Sequence, residues 1–166
     1  MKLIDVILIF LIFVVLLFIN NCDEINHGED AQFIKIHFYY GFGNELNTFE
    51  KYYTKDLVLD GKIKIHFWLT SEEQEKILEK VITIGFFNFP ETINNDSTRV
   101  RIDPDPGEQF LLIQYRNHIH GTSWFLPLPS DSPYTVPLTE LTNFIIELIK
   151  KKPAYQALPP ARGGYL

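Results

Sequence analysis

Four histidines, His37, His66, His118 and His120, are the residues of this chain best suited to metal chemistry, because neutral imidazole is the commonest protein ligand for metals such as zinc. His118 and His120 stand two apart, as ligands on one strand face do, and the apolar residues alternating with His37 and His66 put each of those on a strand surface as well. If all four shared the sheet face turned away from the helices, they would supply a hydrolytic zinc site. Against that, histidine is polar and strand-tolerant, and no carboxylate is placed to orient the rings as a metal site requires. The expectation is no metal and no cofactor. Nucleophilic catalysis has even less behind it: there is no G-x-S-x-G elbow, no P-loop and no cysteine other than Cys22. The chain reads as a non-enzyme.

The same sheet face offers a second chemistry. Lys35, Lys64, Arg99 and Arg101, together with Tyr39, Trp68 and Trp124, make a basic, aromatic platform on a chain whose net charge is −6. With His37 and His66 beside them, these residues suit an anionic envelope glycan, a lipid headgroup or an acidic partner protein, held by ion pairs and cation–π contacts. The acidic total excludes a general nucleic-acid binder, which needs an excess of Lys and Arg to neutralise phosphates.

These residues must be positioned by strands. Residues 33–40 alternate, with Ile34, Ile36 and Phe38 on one side and Lys35, His37 and Tyr39 on the other. Gly41-Phe42-Gly43 breaks the run as a turn. Residues 52–59 and 62–69 flank Asp60-Gly61 as a hairpin. A three-residue or bulged connection pairs Leu59 and Leu57 with Ile63 and Ile65 and keeps Asp56 away from the apolar set. The period then changes. Thr70 with Glu73 forms a capping box, Ile77, Leu78, Val81 and Ile82 form a helical stripe, and Gly85 supplies a left-handed stop before Phe86, Phe87, Phe89 and Pro90.

Residues 91–97 read as loop, 98–102 as a short strand carrying Arg99 and Arg101, and Asp103 to Gly107 as a turn. A second hairpin, 110–116 with 119–125, closes around Asn117-His118; both its faces are apolar, so pattern alone does not say which is covered. A second amphipathic helix begins near Pro137, carries Leu138, Leu141, Ile145, Leu148 and Ile149, and stops at Lys150-Lys151-Lys152 before Pro153. The fold class is then α+β: a two-layer sandwich with an antiparallel sheet of about five or six strands and two helices packed on one face. At 46% hydrophobic and 22% charged, the composition is that of one globular domain and argues against disorder.

The N-terminus places this domain. From Val6 to Ile19 there is no polar residue, a run as long as a signal-peptide core and short of the ~20 residues of a membrane-spanning helix. Phe-Ile-Asn-Asn then leads directly to Cys22. The segment resembles a bacterial lipoprotein signal ending in a lipobox, which implies that Cys22 is lipidated as the first residue of the mature chain. An uncleaved N-terminal anchor and a simply secreted form are the alternatives, and all three export the domain. The expected organisation is a signal or anchor over 1–21, a flexible tether over 22–31, the α+β domain over 32–152 and a Pro/Gly-rich tail over 153–166 that is either disordered or an extended arm.

Leu69-Thr70-Ser71-Glu72-Glu73 and Phe86-Phe87-Asn88-Phe89-Pro90 resemble the helix start and ending of a group of small exported bacterial proteins. A more distant likeness, over roughly 33–151, is to emfourin-like inhibitors of thermolysin-type metalloproteases. Its matching residues are structural, and no inhibitory loop residue carries over. The sequence thus implies a membrane-anchored, extracytoplasmic binding module of the cell envelope, with an envelope component or protein as partner, and protease inhibition as the alternative.

Overall fold

The computed structural model describes residues 33–93 and 103–165. β1 (Ile34–Tyr40) buries Ile34, Ile36 and Phe38 and turns Lys35, His37 and Tyr39 the other way, as its alternation requires. The chain then turns at Gly41, where φ is 60° and a side chain would be strained, and continues as an antiparallel meander of β2 (Asn44–Asn47), β3 (Tyr52–Asp56) and β4 (Lys62–His66).

The β3–β4 connection is longer than the sequence suggested. Ile63 pairs with Lys55 and Ile65 with Tyr53, rather than with Leu59 and Leu57. Residues 57–61 are spent on the turn, which buries Leu57 and leaves Leu59 76% exposed. The C-terminus explains the difference: Val58, in the left-handed region at φ 64°, bridges Arg162, so this segment pairs with the tail instead of extending the hairpin.

α1 (Ser71–Thr83) starts at Thr70, whose Oγ1 accepts from Glu73 N at 3.3 Å while Glu73 Oε2 accepts from Thr70 N at 2.7 Å, the reciprocal capping box. It ends at Gly85, φ 67°, before the 3-10 turn Phe86–Asn88. β5 (Thr92–Ile93), β6 (Glu108–Tyr115), β7 (His118–Phe125), α2 (Thr135–Lys151) and the short α3 (Pro153–Gln156) follow.

The fold is α+β, with one sheet in the order β4-β3-β2-β1-β6-β7-β5. Among the described residues it has seven strands rather than five or six, and it is mixed, because β5 runs parallel to β7 with Ile93 opposite Trp124. β2 and β5 are the additions. β2 is Asn-Glu-Leu-Asn, with one apolar residue, and β5 is two residues long within a stretch that reads as loop.

The buried strand residues Ile34, Ile36, Phe38, Leu46, Tyr53, Leu111, Ile113 and Trp124 form a single cluster with Ile77 and Val81 of α1 and Leu138, Leu141, Ile145 and Ile149 of α2. Two buried polar side chains, Thr48 and Gln74, complete the backbone bonding of β1 beside it. Thr48, just past the end of β2, donates its N–H to Ile36 O at 2.8 Å and accepts from Ile36 N through Oγ1 at 2.7 Å. One step further along β1, Gln74 of α1 takes over: its Oε1 accepts from Phe33 N at 3.1 Å and Ile34 N at 3.4 Å, and its Nε2 donates to Leu69 O at 3.1 Å. A helix side chain thereby completes the ladder at the start of the central strand, as buried backbone groups demand.

The tail is an ordered arm. Tyr155 packs on Tyr53 at 5.6 Å between ring centres, Lys55 Nζ donates to Pro159 O at 2.8 Å, and Arg162 pairs with the backbone of Leu57 and Leu59. Arg162 also grips Asp60 with two bonds of 2.6 and 2.8 Å, and Tyr165 stacks on Phe42 at 4.0 Å while donating its hydroxyl to Asp56.

Candidate functional site

Register decides which side chains share the face opposite the core cluster. β1 contributes Lys35, His37 and Tyr39, β2 Glu45 and Asn47, β3 Tyr52 and Thr54, and β4 Lys64 and His66. Trp68 follows His66 by two residues, with its ring 5.3 Å from the imidazole and 38% exposed. Lys35, His37, Tyr39, Lys64, His66 and Trp68 therefore lie on the face where alternation put them. Arg99, Arg101 and Cys22 lie outside the described residues, as does the strand expected over 98–102.

β7 corrects the rest. His120 pairs with Ile113, His118 with Tyr115 and Trp124 with Gln109, so all three point to the buried side of the sheet. His120 packs on Phe86 at 5.5 Å, His118 on Phe87 at 6.1 Å, and Trp124 is buried against Phe38. The four histidines are split between two faces and cannot share a metal ion. Trp124 likewise leaves the platform for the core. The physical reason is the doubly apolar pattern of β7: its solvent side carries Ile119, 61% exposed, so hydrophobicity could not choose the covered face. Among the described residues no group of three or more His, Cys, Asp or Glu could hold a metal.

The centre of the face is a carboxylate that sequence reasoning missed. Glu45 Oε1 accepts from Tyr52 OH at 2.7 Å and lies 2.6 Å from His37 Nε2. Asn47 Nδ2 donates to the same phenol at 3.4 Å, and Lys64 Nζ stands 3.3 Å from the Tyr52 ring centre. Partial burial pushes the Glu45 carboxyl up, but the hydrogen bonds from Tyr52 and His37 and the charges of His37 and Lys64 outweigh it, and the group is held below its ordinary value. Burial and the Glu45 carboxylate both push the Tyr52 hydroxyl up. Glu45 had no signal of its own, since its neighbours became visible only once β2 was paired between β1 and β3.

Around this centre the face is aromatic. His37 meets Phe110 edge-on at 4.7 Å, Tyr39 stacks on Phe110 at 6.0 Å, and Lys35 Nζ lies 5.6 Å from the ring of Phe49, itself 37% exposed. The arrangement offers cations at Lys35 and Lys64, an ionised acceptor at Glu45 and flat rings between them. The basic, aromatic platform expected from sequence thus has a carboxylate, Glu45, among its described residues. At the far end of β4 a hollow of about 340 Å³ opens between Phe67 and Trp68 on one side and Pro153 and Ala154 on the other. Lys152, which also lines it, is tied to Glu73 at 2.5 Å.

The chain matches no protein-family model, no curated protein and no solved structure. Among the described residues no helix is long and apolar enough to cross a membrane. In the two motifs that flank α1, Leu69, Phe86 and Phe89 are buried, and Thr70 and Glu73 form the helix cap.

Proposed function

We propose that this protein is a non-catalytic binding module of the bacterial cell envelope, exported and tethered to a membrane by lipid on Cys22, which holds an acidic envelope glycan on the outer face of its sheet. In this reading the fold is a two-layer sandwich, its helices covering one face and leaving the other for the ligand. The observation that carries the choice of ligand is Glu45, set between Tyr52 and His37 with Lys64 beside it. A purely anionic headgroup or an acidic protein patch would be repelled by that central carboxylate. Sugar hydroxyls both donate and accept, so they can use Glu45 and Asn47, while acidic substituents meet Lys35 and Lys64 and sugar rings lie on Phe49, Tyr39 and Trp68.

The test is retention of the full chain on isolated cell-wall glycan. Replacing Lys35 and Phe49 together with alanine is expected to lower retention about tenfold, with the fold unchanged by circular dichroism. Equal retention of the double variant and the parent protein would overturn the face as the site. For the tether, Cys22→Ser is expected to move the protein from the membrane to the soluble fraction.

A further inference from the structure

β4 is an edge strand, the end of the sheet order on its side. Its pairing with β3 fixes which way its backbone points. Leu57 N donates to Gly61 O at 2.8 Å and Phe67 N to Lys51 O at 2.9 Å, so the hydrogen-bonded positions on this strand are the odd ones, with Ile63 facing Lys55 and Ile65 facing Tyr53. The N–H and C=O groups of Lys62 and Lys64 therefore point away from β3, toward the side on which no described strand lies.

Edge strands are normally blunted by charge, proline or a bulge. β4 has no proline, and it pairs continuously from Lys62 to His66. Its lysines do not stand over the edge. Lys64 Nζ lies over the Tyr52 ring at 3.3 Å, and the Lys62 ammonium reaches back across the face to the turn at Gly43, where a Cβ would come within 2.5 Å of it. The edge is unbroken, and its guards lean inward.

We infer that the edge of β4 takes an extended acidic segment of a partner protein as an additional strand, anchored by an apolar side chain in the hollow between Trp68 and Pro153. The register specifies the ligand. Side chains of an added strand that share the outer face would stand beside Lys62, Lys64 and His66, and are acidic. Those on the other face would continue from Ile63 and Ile65, which keep part of their surface exposed, and are apolar. Beyond His66 the added chain reaches Trp68 and the hollow of about 340 Å³. Backbone bonds supply affinity in such strand addition, and the alternating contacts with the pocket supply specificity. A second copy of this chain fits worse, because antiparallel pairing of β4 with itself would set lysines beside lysines between molecules of net charge −6. This site shares Lys64 and Trp68 with the edge of the glycan face, but Lys35 and Phe49 take no part in it.

The probe is a fluorescein-labelled peptide, Leu-Val-Glu-Val-Glu-Val-Glu, written for antiparallel addition with its leucine opposite Trp68, and binding to the full chain is read by anisotropy. Saturable binding is expected, weakened about tenfold by Lys64→Glu and recovered when lysines replace the peptide's glutamates. Lys64→Pro removes an edge N–H that β3 does not use, and Trp68→Ala removes one wall of the hollow; each is expected to weaken binding about tenfold. Absence of binding up to about 1 mM peptide would overturn the inference. So would equal binding of the glutamate and lysine peptides, or undiminished binding by a Lys64→Pro variant that keeps the parent circular dichroism spectrum. If that variant does not fold, Lys64→Glu and Trp68→Ala decide alone. Dimerisation abolished by Lys64→Glu would assign the edge to a second copy and overturn the peptide assignment. The Lys35/Phe49 variant is expected to bind the peptide normally, so the two sites fail separately.

Discussion

Replacing Gln74 by methionine tests how the first strand is held. Methionine has nearly the same length and the same helix propensity as glutamine, so α1 and its volume are preserved while the polar contacts are lost. Gln74 is 1% exposed and serves Phe33 N, Ile34 N and Leu69 O. Phe33 is partly exposed, and water can replace its bond. Ile34 and Leu69 are 0% and 1% exposed, so their backbone groups would stay dry and unpaired. At about 1–3 kcal/mol for each orphaned buried group, partly offset by the gain from burying a thioether, the substitution should cost about 3 kcal/mol. Urea unfolding of the full chain, followed by tryptophan fluorescence, reads this directly, because Trp124 is buried in the same core. The midpoint should fall with an unchanged denaturant slope. A loss below about 0.5 kcal/mol would refute the reasoning, since it would mean the ladder at the start of β1 does not depend on the helix.

Two further outcomes follow from the geometry. Because the Glu45 carboxyl is held below its ordinary value in the folded protein, its contribution is fully present above the unfolded carboxylate value and is lost as pH falls through the lower, folded value. The urea midpoint should therefore drop on acidification through the carboxylate range, and less steeply in Glu45→Gln; parallel curves for the two proteins would contradict the assignment. Gly163 has φ +84° and its Cβ would stand 2.8 Å from Leu59 Cγ, so Gly163→Ala should loosen the C-terminal arm. Faster trimming by carboxypeptidase with a nearly unchanged melting temperature is expected, and resistance equal to the parent would show that the arm tolerates the side chain.

What could be read in the sequence was the local signal. The alternation of β1, the Thr70–Glu73 cap, the Gly85 stop and the α2 stripe depend on neighbours within a few residues, and each stands where the sequence put it; of the α1 stripe Ile77 and Val81 are buried, but Ile82 is 59% exposed and Gln74 takes the buried place. What failed depended on partners far along the chain. The turn over residues 57–61 is shaped by Arg162, and β2 is a strand because β1 and β3 flank it, not because Asn-Glu-Leu-Asn prefers extension. For the site, Lys35, His37, Tyr39, Lys64 and His66 followed from period two alone. Glu45 did not, because its role arises from Tyr52 and His37 reaching it across adjacent strands. His118, His120 and Trp124 were assigned to the wrong face because β7 is apolar on both sides, and only its pairing with β6 settles the choice.

The place of β1 in the sheet has a mechanical consequence. It is the first described strand, yet it lies between β2 and β6, antiparallel to both. Tension entering from the N-terminal side is applied along β1 and must shear two ladders at once, with the Gln74 clasp at the point of loading. An edge strand in that position would peel one bond at a time. A domain loaded through the start of β1 would thus have to break both ladders before that strand could leave the sheet, while β4, at the far edge, takes part in neither.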